Sequence, residues 1–150
     1  MKELPLAQEL YDLQSEGLQE QELANVSIWS HELIAKQLIE EDNRHLVWKD
    51  DDLILGYVFY SYIDFQVEIL HLAVRRKGCG AGQKLIEFFF DHLDTLNLGK
   101  VDVLLELKSK NLRAFNLYKR LGFRQTGHRR HYYSNGDDAI LMSKKYSSKL

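Results

Sequence analysis

The chain is expected to fold as a single α/β domain, a mixed sheet flanked by helices, and three features of the sequence predict it. The hydrophobic period is helical over roughly the first 40 residues and switches to two from His45 onward. A strand-like run, Gln66 to Val74, passes through a glycine-rich segment into a strongly amphipathic helix, which leads to another buried-looking strand, Val101 to Leu107. A strand, a crossover helix and a further strand imply parallel pairing inside a sheet that begins antiparallel.

The elements follow in order. Leu6, Leu10, Leu13 and Leu18 recur at near-helical intervals, and Ile34, Leu38 and Ile39 mark a second helix that Ser30 can cap. His45 to Trp48 and Leu53 to Tyr62 read as two strands of a hairpin turning at Asp50-Asp51-Asp52. Gln66 to Val74 is the third strand. After Gly78 to Gly82 comes a helix whose apolar residues Leu85, Phe89, Leu93 and Leu96 are three or four apart, with Gly99 as its stop. Val101 to Leu107 is a buried strand. Asn111 can cap a short helix through Leu121 that Gly122 ends, and Phe123 to Gly127 and Ala139 to Lys144 close the chain as strands around a loop, Tyr132 to Asp138.

Composition narrows the function classes. Of 150 residues, 45% are hydrophobic and 28% charged, and the formal charge is −2, so overall charge favours neither a nucleic-acid coat nor a membrane surface. No apolar run reaches the roughly 20 residues of a membrane span, and the first residues, with Glu3 and Glu9, lack the plan of a secretory signal. Cys79 is the single cysteine, which rules out an internal disulfide and suits a reducing compartment. A cytoplasmic protein is expected. His128 and His131 are close in sequence but lack the further ligands a zinc site needs, so no metal is expected. No repeat or Pro/Gly/Ser-rich linker divides residues 1–150, so one domain is expected.

Residues 72 to 85, from Leu72-Ala73-Val74 through Arg75-Arg76-Lys77 and Gly78-Cys79-Gly80-Ala81-Gly82 to Gln83-Lys84-Leu85, carry the first chemical signal. A glycine loop entering a helix can aim several backbone N–H groups at one anion, and the helix dipole adds favourable potential. The glycines could equally serve only tight turns. The segment lacks the Gly-Lys-Ser/Thr ending of a P-loop and the dinucleotide G-x-G-x-x-G spacing. The basic run Arg75 to Lys77 fits an anionic cofactor or is a solvated turn.

Lys77-x-x-Gly80-x-Gly82 followed by Leu85 resembles the Arg/Gln-x-x-Gly-x-Gly/Ala signature of the GNAT acetyltransferases. Glu106-Leu-Lys-Ser-Lys-Asn111, Ala114, Leu117-Tyr118 and Leu121-Gly122-Phe123 are similar to the second half of that fold. Gly127-His-Arg129-Arg130-His-Tyr132-Tyr133, Asp138-Ala139-Ile140 and Met142, with Trp29-Ser30 upstream, resemble the bacterial group that acetylates the N-terminal alanine of a ribosomal protein. The resemblance covers roughly residues 29 to 146 and is strongest over the last half. One departure stands out. Val74 is followed at once by Arg75, where the family places Val-x-Pro-x-x, so the loop is about two residues short, without proline, and Lys77 replaces Arg or Gln.

The resemblance implies a GNAT-like fold and direct acetyl transfer from acetyl-CoA to an α-amine, with a protein N-terminus as partner. The near-neutral charge and the lack of a reading motif argue against direct nucleic-acid binding. The resemblance also implies that Lys77, Gly78, Cys79, Gly80, Ala81, Gly82 and Gln83 cradle the pyrophosphate, that the backbone of Leu72, Ala73 and Val74 pairs with the pantetheine, and that Asn111 binds the same arm. Asn111 could instead be only a helix cap. By the same resemblance Glu106 is the general base and Tyr118 the general acid. On residues alone, Glu106 is an awkward carboxylate near the end of an apolar strand, either functional or ion-paired, and Tyr118 could be a packed aromatic. Cys79 has no recognisable histidine partner and is read as a bystander to the chemistry. Tyr132, Tyr133 and Trp29 are candidate walls of a peptide pocket. Rival readings are a GNAT enzyme acting on a lysine or small amine, a non-catalytic acyl-CoA-binding module, and a nucleic-acid binder using Arg124, Arg129 and Arg130.

Overall fold

The computed structural model describes residues 3–23 and 25–149, side chains excepted at 3, 4, 20 and 21. Helix α1, Glu3–Ser15, buries Ala7, Leu10 and Leu13, one face of a 3.6-residue period. Gly17, at φ 77°, turns the chain out of it, so Leu18 lies in the loop rather than on the helix as its spacing suggests. A short helix α2, Glu20–Leu23, which the sequence pattern does not show, leads to α3, His31–Ile39. Ser30 caps α3 by accepting from the Leu33 amide at 3.1 Å.

Strands β1 (Asn43–Asp50) and β2 (Leu53–Ile63) form the expected hairpin, with Asp51 at φ 51° in its turn. β3 is Gln66–Val74, α4 is Ala81–Leu96 and β4 is Lys100–Lys108. Asn97, in the left-handed region at φ 49°, ends α4 two residues before the glycine expected to stop it. Helix α5, Leu112–Arg120, starts at the cap Asn111, whose side chain accepts from the Ala114 amide at 3.2 Å. β5 (Arg124–Arg129) and β6 (Ala139–Ser147) complete a sheet of order β1-β2-β3-β4-β6-β5.

Two apolar layers sandwich this sheet. Leu85, Ile86, Phe89 and Leu93 of α4 pack on Val67, Ile69, Val103 and Leu105, together with Tyr118 and Phe123. Each such large side chain contributes roughly 1.5–3 kcal/mol by burial. On the opposite face, Ala7, Leu10, Leu13 and Ile34 cover Ile54, Tyr57 and Phe59.

Two irregularities position the site. β3 and β4 pair in parallel only from Gln66–Ile69 against Asp102–Leu105. Beyond Ile69 and Leu105 each strand keeps its outer neighbour but not the other, so the sheet splits into a V. The second is a bulge in β3. Phe59 pairs with His71 and Tyr60 with Ile69, leaving Leu70 as the extra residue. Val67 and Ile69 face α4, whereas past the bulge Ala73 joins the α1/α3 layer, so the alternation changes phase there.

Candidate active site

A cavity of about 880 Å³ occupies the V. Its floor includes Leu72, Ala73 and Val74 from the unpaired edge of β3, and its far end reaches Lys77, Gly78, Gly80, Gly82 and Gln83. Gly78 and Gly80 have φ of 79° and 80°, a region closed to most L side chains, and the space where each Cβ would stand is open. Gly82 has a different reason: its Cβ would stand 3.0 Å from Leu117 Cδ2, so it lets α4 approach α5. Gly80 caps α4 without a side-chain hydrogen bond, and the first turn carries no acidic residue. The first-turn amides thus lack intrahelical acceptors and lie at the positive end of a 16-residue helix, an arrangement suited to an anion. Cys79, exposed, and Ala81, buried, do not line the cavity with their neighbours.

The basic run beside this loop is held back toward α1. Arg75 donates through Nε to the Ile54 carbonyl at 2.7 Å and pairs with Glu16 at 2.5 Å and Glu9 at 3.6 Å. Lys77 lies on the cavity wall, but its ammonium donates to the Leu13 carbonyl at 3.0 Å. Burial pushes its pKa down to about 8, with the Glu16 carboxylate opposing the shift. Arg75 and Lys77 thus fasten this turn to the end of α1.

Glu106, Tyr118 and Asn111 all meet at the cavity. Val103, Leu105 and Leu107 face α4, so the alternation of β4 turns Glu106 to the opposite face, one residue past the last β3–β4 pair. Its side chain is 25% exposed and its Oε1 lies 3.6 Å from Arg129 Nη1. Tyr118 is 5% exposed, edge-on to Phe123 at 5.4 Å between centroids. Burial raises its pKa above the ordinary tyrosine range. Among the described residues its hydroxyl has no hydrogen-bond partner, and no fully buried side-chain oxygen is left without one, so the hydroxyl opens on the cavity. A carboxylate and a protonated phenol therefore share one space, the pairing that removal of one proton and delivery of another requires.

The expected aromatic walls are present. Tyr132, Tyr133 and Trp29 line the cavity, the first two edge-on to each other at 5.2 Å. Arg129 stacks over Tyr132 at 5.3 Å, while burial and then the Glu106 charge push Tyr133 up to about 12. Their loop is braced by Asp138, which accepts from the His131 amide at 2.9 Å and lies 2.7 Å from His128 Nε2. Two of the basic residues near this loop make internal contacts. Arg129 faces Glu106, and His128 faces Asp138.

The sequence profile of the acetyltransferase (GNAT) family matches residues 7–123. The chain belongs to the GNAT acetyltransferase family. It is 32% identical over 100 residues to an uncharacterized N-acetyltransferase of Methanocaldococcus jannaschii, covering 63% of this chain and 62% of that one. It is 31% identical over 100 residues to the [ribosomal protein bS18]-alanine N-acetyltransferase of Salmonella typhimurium, covering 62% and 65%. A 42-residue stretch is 50% identical to an N-alpha-acetyltransferase of Sulfurisphaera tokodaii, covering 28% and 25%. The chain thus spans less than two thirds of the length of these relatives. Among solved structures, the ribosomal-protein-S18-alanine N-acetyltransferase from Escherichia coli superposes with a TM-score of 0.75 at 22% identity, over 98% of this chain and 90% of that one. Ard1 from Thermoplasma volcanium gives 0.76 at 22%, over 95% and 92%. At these identities the structural likeness shows the fold.

Sequence reading of this GNAT chain missed the polar groups behind the cavity wall. His71 and Gln14 are the buried polar residues of the described core, 9% and 3% exposed, and both line the cavity. A histidine between Leu70 and Leu72 in an apolar strand was a usable signal. Strict alternation, however, puts it on the α4 face with Val67 and Ile69, and only the bulge at Leu70 brings it to the other side.

Proposed function

We propose that this chain is an acetyl-CoA-dependent N-α-acetyltransferase acting on the N-terminal alanine of a ribosomal protein. The observation that carries the reading is the meeting of Glu106 and Tyr118 in one cavity at the opening of the β3–β4 split, with the uncapped N-terminus of α4 at its other end. Acetyl-CoA would supply the acyl group as a thioester. The open spaces over Gly78 and Gly80 and the free first-turn amides fit its pyrophosphate, and the unpaired backbone of Leu72 to Val74 fits its extended arm. Glu106 takes a proton from the acceptor ammonium. The amine nitrogen then forms its bond to the acyl carbon as the carbon–sulfur bond breaks, and the Tyr118 hydroxyl gives its proton to the departing sulfur. The surplus proton on the acylated nitrogen leaves to solvent, from which the Tyr118 phenol is reprotonated. An N-terminal α-amine, with a pKa near 7.7–8.0, asks for only modest help in deprotonation, which suits a carboxylate base.

The names of the Salmonella and Sulfurisphaera relatives support an N-terminal acceptor, and the aromatic wall of Trp29, Tyr132 and Tyr133 fits a peptide chain. The test compares CoA release with an alanine-first ribosomal peptide and with the same peptide blocked at its α-amine. Release with the free peptide alone is expected. Equal release with both sinks the N-terminal reading in favour of a lysine acceptor, and none with any amine returns the chain to an acyl-CoA-binding module.

A further inference from the structure

One wall of the cavity is the segment Val26–Trp29, which has no regular secondary structure. Among the described residues no backbone–backbone hydrogen bond reaches it. It hangs on two buried side chains from different elements. Gln14 of α1 grips Trp29 at both backbone groups: its Oε1 accepts from the Trp29 amide at 2.7 Å, and its Nε2 donates to the Trp29 carbonyl at 2.9 Å. His71 of β3 holds the neighbouring Ser27, with Nε2 at 2.9 Å from the carbonyl oxygen. A carbonyl only accepts, so Nε2 carries the proton, and Nδ1 accepts from the Tyr57 hydroxyl at 3.1 Å. The Trp29 indole lies on the His71 ring at 4.6 Å between centroids.

His71 is two residues past Ile69, the last β3 residue paired with β4, and Glu106 is one past its partner Leu105. His71, re-aimed by the bulge, and Glu106, by alternation, both turn away from the α4 layer. The held segment and the carboxylate therefore flank the mouth of the V from the same side. We infer that His71 and Gln14 are positioning residues that set Val26–Trp29 as the wall receiving the acceptor, and so govern acceptor affinity without touching the acyl donor. This rests on the acetyltransfer reading above. Burial pushes the His71 pKa down to about 4, so the clasp keeps one protonation state across neutral pH.

The test uses His71→Leu, Gln14→Leu and the conservative His71→Gln, which can still donate toward Ser27. KM is measured separately for acetyl-CoA and for three acceptors: an alanine-first peptide, an N-blocked lysine peptide and spermidine. Both leucine variants should raise KM for whichever acceptor the wild type uses by about tenfold, the scale of one buried hydrogen bond. KM for acetyl-CoA should stay within about twofold, amide exchange should quicken at residues 25–30 but not at 78–84, and His71→Gln should recover most of the acceptor KM. Parallel rises in both KM values, an unchanged acceptor KM, or unaltered exchange at 25–30 overturns the inference. Should the leucine variants fail to fold, Gln14→Glu, which keeps the acceptor for the Trp29 amide but loses the donor to its carbonyl, reads the same split. Wild-type transfer to lysine or spermidine alone removes the N-terminal reading and leaves this one testable on that acceptor. An unmoved acceptor KM beside intact α-amine transfer removes only this one, and no transfer to any acceptor removes both.

Discussion

Tyr118→Phe should cost about 10²–10⁴-fold in turnover and Glu106→Gln at least about sevenfold at pH 7, and the two should diverge with pH. The glutamine keeps the side-chain shape but takes no proton, so its rate follows the fraction of acceptor already neutral. For an α-amine of pKa about 7.8 that fraction is roughly 14% at pH 7 and 94% at pH 9, and the variant should gain about sevenfold relative to wild type over that range. Tyr118 sits 5% exposed against Phe123, and burial holds its pKa above the ordinary range, so its hydroxyl is protonated throughout. Phenylalanine preserves that edge-on packing and removes only the proton, so its deficit should stay level from pH 7 to 9. Single-turnover rates at saturating acetyl-CoA, measured at five pH values, separate the two. A level deficit for Glu106→Gln would refute its role as base, and near-normal rates in both variants would return the pair to packing.

Gly80→Val forces a β-branched residue to φ 80°, a strain of roughly 1–3 kcal/mol, and fills the open space over the loop, so calorimetry should show CoA binding lost. Gly82→Ala meets only the end of Leu117 at 3.0 Å and should weaken binding far less; the reverse order would contradict the cradle. His71 titrates near 6.5 unfolded and about 4 folded, so below pH 6.5 the unfolded chain binds the extra proton and stability should fall until about pH 4. The loss from this group is on the order of 3 kcal/mol at most. Denaturant melts of His71→Leu should lack that part of the slope, and a parallel slope would show that His71 is not the group responsible.

Local order was legible wherever a residue type dictates geometry. The bounds of β3, the caps Ser30 and Asn111 and the apolar stripe of α4 all follow from period and side-chain chemistry. The expected parallel pairing is present, but its shortness is not written in any residue, because it reflects how β2 and β6 draw β3 and β4 apart. Nor could β6 be foreseen between β4 and β5, since strand order depends on whole-sheet packing. At the site, Glu106, Tyr118, Asn111 and the loop glycines are brought to one cavity as the motifs suggested. For Arg75 and Lys77 the sequence shows charge and not partners; in the structure Glu9, Glu16 and the Leu13 carbonyl, at least 59 residues away along the chain, hold them.

The most direct test of the central claim is tandem mass spectrometry of one ribosomal-protein peptide that carries both a free N-terminal alanine and an internal lysine, after incubation with the chain and acetyl-CoA. The account expects a single added acetyl group, located on the alanine α-nitrogen, with the lysine unmodified. An acetyl group on the lysine with the α-amine still free, or a peptide of unchanged mass, would contradict it.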